Sequence, residues 1–334
     1  MFIKFFKSSF FTQYLVITVI GILLWTNAFI NPPEMPMPDG PVPLYEMVYK
    51  WLHDLPFVST LLAFLLVCGE TYGLTLILNK HELIQKNSSL SALIFLVLMS
   101  ILPEMLTLNP INICIFFMIL MIHHLLILYN KPEHLDRAFG LGFFTALAGM
   151  FYIPFLLWFG LIIIGFILYS SGHWREWVAA LIGLVTPFLY LSVFYFWNDE
   201  LFVKAFEYPD FFRHILFFPN PFSLDFWVLG GIIILVSLWG IYRIWMGPIE
   251  KTVELRVKSS IFLWMLIFTI ATAVYSRSLA IYHPLLAAPS FTMIISSLLF
   301  GLRKKKLVEI VLLIFFLMVL TNNLVLHPLL TLGK

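Results

Sequence analysis

Charged residues are scarce in this chain. They make up 11% of its 334 residues, whereas hydrophobic residues make up 61% and the mean hydropathy is +0.97. A soluble domain carries about 25% charged residues, so this composition excludes an ordinary soluble globular protein. Cysteine is also rare: Cys68 and Cys114 both lie inside apolar runs, where we expect packing residues rather than a disulfide.

Several motifs that carry chemistry are missing as well. The sequence has no zinc-type cysteine and histidine spacing, no phosphate-binding loop and no glycine-rich dinucleotide fingerprint. We therefore expect no cofactor and no obligate metal, although a divalent ion beside Asp39 would suit phosphate chemistry. The net charge of +2 gives no support for nucleic-acid binding.

The chain does contain long, continuous apolar runs. A helix needs about 20 apolar residues to cross a bilayer, whereas a membrane barrel shows alternating segments of about 10 residues. The sequence therefore predicts an all-α, polytopic membrane protein whose residues 1–334 form a single integral membrane domain. Pro154 is expected to divide the run 138–170 into two short helices. The eleven predicted spans are 13–30, 57–78, 90–108, 111–129, 138–152, 155–170, 177–196, 226–245, 259–276, 282–301 and 307–326.

The distribution of lysine and arginine predicts the orientation. With the N-terminus in the cytoplasm, the inner segments hold fifteen of the 20 lysines and arginines, and the outer segments hold five. We therefore expect a multi-pass protein of the bacterial cytoplasmic (inner) membrane with its C-terminus in the periplasm. Because every inner loop is short, any chemistry is expected within the membrane or on the outer face.

Residues 31–56 form the first predicted outer loop. Its part before Pro43 holds five prolines and two acids, Glu34 and Asp39. Pro43 is expected to open an amphipathic helix and Pro56 to end it. Two interpretations remain open: the helix is a simple strap on the membrane surface, or it roofs a lipid-facing cavity and holds Asp39 and Glu34 over it.

Residues 197–225 form the second predicted outer loop, which is crowded with Phe and Tyr. These aromatic residues indicate either anchoring at the membrane interface or a site at which Lys204 and Arg213 bind a lipid phosphate. The stretch 275–290 adds Arg277 and His283 at the outer boundary, where the arginine either reaches into the headgroups or faces the same cavity as Asp39.

Glu70 lies in the middle of an apolar run. A charge at the bilayer centre costs about 2.5–3.5 kcal/mol, so an acid there is a functional candidate. The alternative is a protonated acid, or one hydrogen-bonded to Tyr72 or Thr75. A separate stripe of small residues predicts close helix packing. It consists of Ala138, Gly142, Ala146 and Gly149.

Two resemblances follow from these motifs. "SGHWREWVAALIGLVTPFLY" (171–190), "YSRSLAIYHPLLAAPS" (275–290) and the basic start "FIKFFKSS" resemble an uncharacterised multi-pass inner-membrane family of Bacteroidetes, which implies no settled activity. More remotely, the chain resembles the GT-C glycosyltransferases in the order of its segments. One span comes first, then an acidic outer loop with a flat helix, then many further spans, and near the end an arginine followed at intervals by two prolines. That resemblance implies Asp39 or Glu34 as the base and Arg277, with Arg213 or Lys204, at the lipid phosphate. It also implies interfacial helices on the outer face.

Three functions therefore remain open. The first is a GT-C-like transferase of cell-envelope biogenesis that uses a lipid-phosphate-linked donor, such as a polyprenyl phosphate, at the periplasmic face. The second is a non-enzymatic membrane subunit of an envelope-assembly or secretion complex, which binds a membrane-protein partner. The third is a proton-coupled carrier built on Glu70. Membrane lipids are expected partners in all three.

Overall fold

The structure, a computed structural model, describes residues 6, 11–84, 88–129, 134–169, 173–213, 224–246, 253–276, 279–301, 313 and 316–323. All regular secondary structure in these residues is helical. The α-helices are α1 (Phe11–Ile30), α2 (Pro43–Leu52), α3 (Pro56–Lys80), α4 (Leu90–Met99), α5 (Pro110–Ile127), α6 (Leu135–Phe151), α7 (Phe159–Tyr169), α8 (Trp174–Trp197), α9 (Leu201–Arg213), α10 (Leu224–Met246), α11 (Val253–Ala273) and α12 (Ala288–Gly301). Short 3₁₀ segments cover Pro103–Met105, Ile153–Trp158 and His283–Ala287.

Several of these helices suit a membrane. Within the described residues, six helical runs are long and apolar enough to cross it: α1, α3, α5, α8, α11 and His283–Phe300. Three shorter apolar helices overlap three more predicted spans: Leu90–Met99, Ile153–Tyr169 and Trp227–Arg243. The predicted span 138–152 coincides with α6 up to Phe151, and the predicted span 307–326 falls mostly outside the described residues. The described part of the chain is therefore all-helical and suits a multi-pass membrane protein, and the count of eleven spans stays a prediction.

Helix α4 departs most clearly from its predicted span, which extended to residue 108. It has 10 residues, all buried, and ends at Met99. Asparagine side chains from far along the chain bind the carbonyls that follow it: Asn323 Nδ2 donates to Ser100 O at 2.8 Å, and Asn322 Nδ2 donates to Ile101 O at 3.1 Å. Non-helical backbone at membrane depth is tolerated where protein satisfies its polar groups, and these bonds do so.

Pro43 and Pro154 lie at helix boundaries that the sequence predicted, whereas Pro56 begins α3 and does not end α2, which already ends at Leu52. Pro43 and Pro56 are the first residues of α2 and α3. Pro154 lies in the 3₁₀ segment that separates α6 from α7. A proline lacks the backbone N–H, which the first turn of a helix does not use, so each of these residues starts a helical segment without losing a bond.

The small-residue stripe lies where α6 crosses α8. A Cβ built on Gly142 would stand 1.8 Å from Ala180 O, and one built on Gly183 would stand 2.0 Å from Phe139 O. The two backbones therefore touch, and the prediction of close packing is confirmed at Gly142. Lipid chains are as apolar as leucine, so close van der Waals contact of this kind, rather than the hydrophobic effect, holds the two helices together.

Helices α2 and α9 lie together at one end of the bundle, which we call the α2–α9 face. The opposite end carries a polar cluster around Lys258, whose side chain is 7% exposed. Its ammonium forms an ion pair with Glu254 and lies 3.3 Å from His81 Nδ1 and 5.4 Å from the centre of the Tyr129 ring. His81 and Tyr129 follow the C-terminal ends of α3 and α5, whose negative dipole ends favour a cation.

His81 makes the stability of this end of the bundle depend on pH. Burial first, and then the charge of Lys258, lower the pKa of His81 to about 4; His123 and Lys80 lower it further, and Glu254 opposes them. Its ordinary pKa is about 6.5, so below that pH the unfolded chain binds the proton more readily than the folded chain. We expect the stability that His81 contributes as a neutral ring to be present above pH 6.5 and to be lost as the pH falls towards about 4.

The measurement is the midpoint of unfolding by SDS in mixed micelles at pH 7.5 and at pH 5.0. When the pH is lowered from 7.5 to 5.0, His81→Asn is expected to lose less stability than the wild type. His53→Asn is the matched control, because the His53 side chain is 41% exposed on α2. If the wild type and His81→Asn lose the same stability, the pH dependence does not come from His81.

Candidate functional site

The two predicted outer loops meet at Gly40. This residue has φ +83°, a conformation that favours glycine, and a Cβ on it would stand 2.6 Å from the ring of Phe211 on α9. The same Cβ would stand 3.6 Å from Ile153 Cδ1. Gly40 is therefore held between α9 and Ile153, the residue that follows Tyr152. The backbone of Asp39, which directly precedes Gly40, is held with it.

Helix α2 fixes the rest of the proline-rich segment. The buried Tyr45 hydroxyl donates a hydrogen bond to Pro36 O at 2.7 Å. Burial first, and then Tyr282 and Tyr49, raise the pKa of Tyr45, while burial and Glu104 raise the pKa of Tyr282 to about 12. Both phenols therefore stay neutral hydrogen-bond donors near pH 7. Tyr45 is on the inward face of α2, where it is buried, whereas Trp51 is 74% exposed.

A buried tyrosine–histidine pair lies next to this segment. Tyr152, which follows α6, donates from its hydroxyl to His283 Nδ1 at 2.7 Å. His283 Nε2 donates in turn to Thr269 O at 2.8 Å. Since a carbonyl oxygen can only accept, the ring hydrogen is on Nε2, and Nδ1 is the acceptor. Both ring nitrogens of His283 are therefore engaged within the protein, and the pair fixes the orientation of Tyr152.

Asp39 lies near this pair, on a half-buried stretch of the first loop. Burial first, then Cys114 and then the charge of Asp39, raise the pKa of Tyr152. The Tyr152 oxygen therefore stays protonated, and it keeps lone pairs that can accept a hydrogen bond from a ligand hydroxyl. A carboxylate, a fixed phenol and a histidine from three distant parts of the sequence are thus brought to one end of the bundle.

The other predicted site residues fall in different surroundings. Glu34 is exposed on the first loop, and Arg213 is exposed at the end of α9. Lys204 Nζ donates to both carboxylate oxygens of Glu207, at 3.2 and 3.0 Å, and this hydrogen bonding raises the pKa of Lys204. Arg277 lies outside the described residues. Its role at a lipid phosphate, like the roles predicted for Glu34, Arg213 and Lys204, stays a prediction.

Glu70 is buried in α3, which runs unbroken through it. Neither carboxyl oxygen has a hydrogen-bond partner among the described residues. The two expected partners are engaged elsewhere: Tyr72 Oη pairs with Thr18 Oγ1, and Thr75 Oγ1 donates to Thr71 O at 2.8 Å. A charged carboxylate without a partner is costly at this depth, which suits a neutral acid that packs between helices.

Metal ligands are not gathered in the part of the chain that the structure describes. No group of three histidine, cysteine, aspartate or glutamate side chains there is placed to hold an ion. The groups of the Asp39 region can take part in hydrogen bonding and in proton transfer at a hydroxyl.

Sequence reasoning missed two residues of this region, Tyr152 and Phe211. Tyr152 pairs with a residue 131 positions further on, and no local pattern reports such a contact. A local signal did exist, since "YIP" at 152–154 marks a helix end at which a tyrosine leaves the helix surface. Phe211 is one of many phenylalanines in its loop, so composition could not distinguish it from the exposed ones.

The fold and this cluster define a helical, multi-pass membrane protein with a polar site at one end of its bundle. No protein-family model matches the chain. No curated protein and no solved structure is significantly similar to it. The argument for function therefore rests on the site alone.

Proposed function

We propose that the protein is a GT-C-like transferase of cell-envelope biogenesis, which uses a lipid-phosphate-linked donor at the α2–α9 face. The observation that carries this proposal is that Asp39 lies within electrostatic range of Tyr152, the partner of His283, on a loop against which α9 packs through Phe211. The excess of lysine and arginine on the other segments supports a periplasmic position for this face in a bacterial inner membrane, with a cytoplasmic N-terminus.

Each group has a role in the proposed transfer. The Asp39 carboxylate accepts the proton of an acceptor hydroxyl while the acceptor oxygen bonds to the anomeric carbon of the donor. The bond from that carbon to the phosphate oxygen breaks, and the lipid phosphate leaves with the electron pair. Arg213 and Arg277 stabilise the negative charge that develops on the phosphate. Tyr152, fixed by His283, accepts a hydrogen bond from another hydroxyl of the sugar.

The test is the release of polyprenyl phosphate by the purified protein in nanodiscs, given a panel of polyprenyl-phosphate-linked sugars and acceptors. Asp39→Asn is expected to lower the rate at least tenfold, because it removes the base and keeps the shape. Asp54→Asn is the matched control, since the Asp54 side chain is 85% exposed on the same loop. If Asp39→Asn leaves the wild-type rate unchanged, the role of Asp39 is refuted. If the wild type releases polyprenyl phosphate from none of the donors in the panel, the proposed function is refuted.

A specific observation favours a second candidate, the non-enzymatic subunit. Only 17% of the apolar window of α8 is buried, and its exposed side chains form a broad apolar surface that suits a membrane-protein partner as well as lipid. The third candidate, a carrier built on Glu70, requires broken helices at that residue, and α3 is continuous there.

A further inference from the structure

Helix α9 has two different faces. Phe202, Val203 and Phe206 are 78%, 65% and 74% exposed, although each is a large apolar side chain. The ring of Phe211, by contrast, is buried against Gly40. A helix in water would place its phenylalanines inward, so the exposed set requires a covering of its own. This exposed set, Phe202, Val203 and Phe206, is called the α9 apolar patch.

The α9 apolar patch continues the exposed surface of α8. That helix is long enough to span a membrane, and its last turns expose Phe194, Phe196 and Trp197 at 60%, 69% and 84%. Only residues 198–200 separate the two helices, and Asp199 turns the chain there with φ +58°. Helix α9 therefore begins directly after the exposed apolar end of α8, and the tight turn keeps the two ends close together.

The charges on α9 differ along its length. Lys204 is neutralised by Glu207, at the end of the helix that carries the α9 apolar patch. Arg213 is exposed at the other end, and it has no ion pair among the described residues. It follows Phe206 by seven residues, which is about 10 Å along a helix. One surface of α9 thus carries apolar side chains at one end and, at the other, a cation without an ion pair among the described residues. A phospholipid has the matching arrangement, with its acyl chains at one end and its phosphate at the other.

We propose that α9 docks on the bilayer: the α9 apolar patch lies among the acyl chains at the membrane interface, and Arg213 binds a lipid phosphate. Interfacial helices with aromatic and aliphatic side chains on one face bind lipid in this way. The proposal does not depend on catalysis. It does have a consequence for the site, because Phe211 joins α9 to Gly40: docking holds Asp39 near the depth of the lipid phosphates.

Spin labels test the depth of the α9 apolar patch. Single cysteines replace Phe202 or Phe206 in a chain whose Cys68 and Cys114 are alanine, and the labelled protein is placed in nanodiscs of phosphatidylcholine and phosphatidylglycerol. Oxygen concentrates in lipid, and a nickel chelate stays in water. Labels at Leu189, which is 60% exposed on α8, and at Asp54 give the lipid and water references.

We expect the ratio of oxygen to nickel accessibility at 202 and 206 to be close to that at 189 and at least tenfold above that at 54. A ratio like that at 54 would overturn the docking, because the patch would face water. Low accessibility to both reagents would overturn it as well, because a protein would then cover the patch. Neither result depends on transfer activity, so failure here is distinct from failure of the proposed function.

A second measurement tests Arg213. Native mass spectrometry counts the phosphatidylglycerol molecules that the purified protein retains in detergent. Arg213→Gln is expected to lose one bound lipid relative to the wild type, whereas Lys50→Gln, an exposed cation on α2, is expected to lose none. Equal retention in the wild type and Arg213→Gln would overturn the phosphate contact. Loss in both variants would show unspecific attraction, which also overturns it.

Discussion

Replacing Gly142 by alanine is expected to lower the free energy of unfolding by about 3 kcal/mol, the upper part of the range for overpacked cores. The added methyl would stand 1.8 Å from Ala180 O and 2.6 Å from Leu184 N. Both neighbours are backbone atoms, so no side-chain rotation can relieve the clash, and α6 and α8 must move apart. That separation removes the contacts by which the helices associate in lipid.

The measurement is SDS-induced unfolding in mixed micelles, followed by far-UV circular dichroism. Gly231→Ala in α10 is the matched control, because a Cβ there meets nothing within 4 Å. The control should be neutral or slightly stabilising, since alanine loses less backbone entropy than glycine in a helix. If Gly142→Ala unfolds at the same SDS fraction as Gly231→Ala, the contact between the two backbones is not as close as described.

Replacing Glu254 by alanine is the second change with a large expected effect, a loss of about 2–3 kcal/mol. Breaking a fully buried ion pair costs about 3–5 kcal/mol, because the remaining charge is left without compensation. The Lys258 side chain is 7% exposed and would keep its charge beside His81 and Tyr129. The expected loss is below the full range because the Glu254 side chain is 51% exposed, so water already screens part of the attraction.

Glu207→Ala is the control for this change. It breaks a pair of the same chemistry on α9, with Lys204, but those side chains are 25% and 38% exposed. Exposed pairs contribute about 0–1 kcal/mol, so Glu207→Ala should unfold near the wild-type SDS fraction. Similar losses in the two variants would contradict the special role of burial at Lys258.

The sequence predicted those features of the fold that depend on local chemistry. Prolines at 43, 56 and 154 mark helix boundaries because the residue lacks an N–H, whatever surrounds it. The small-residue stripe predicted close packing because only small side chains allow two backbones to touch. The length of α4 could not be predicted, since its apolar run continues past Met99 and the bonds that allow it to end come from residues more than 200 positions away.

The same distinction holds for the candidate site. Asp39 stood out as an acid in a proline-rich loop, and His283 as a polar residue at the start of an apolar run. Their neighbours Tyr152 and Phe211 did not stand out in the sequence, because their importance depends on tertiary contacts. Lys258 was counted only as one of the cations that orient the chain, and no periodicity indicated that its ammonium would be buried beside the ends of α3 and α5.

The two asparagines beyond α4 also constrain the order in which the chain can mature. Ser100 and Ile101 are made early, but their carbonyls gain their partners only when Asn322 and Asn323 have been synthesised. Until then, the end of a buried ten-residue helix carries unsatisfied carbonyls at membrane depth, each of which costs several kcal/mol in lipid. The two hydrogen bonds therefore make the end of α4 a piece of structure that is completed only after residues 322 and 323 have been made.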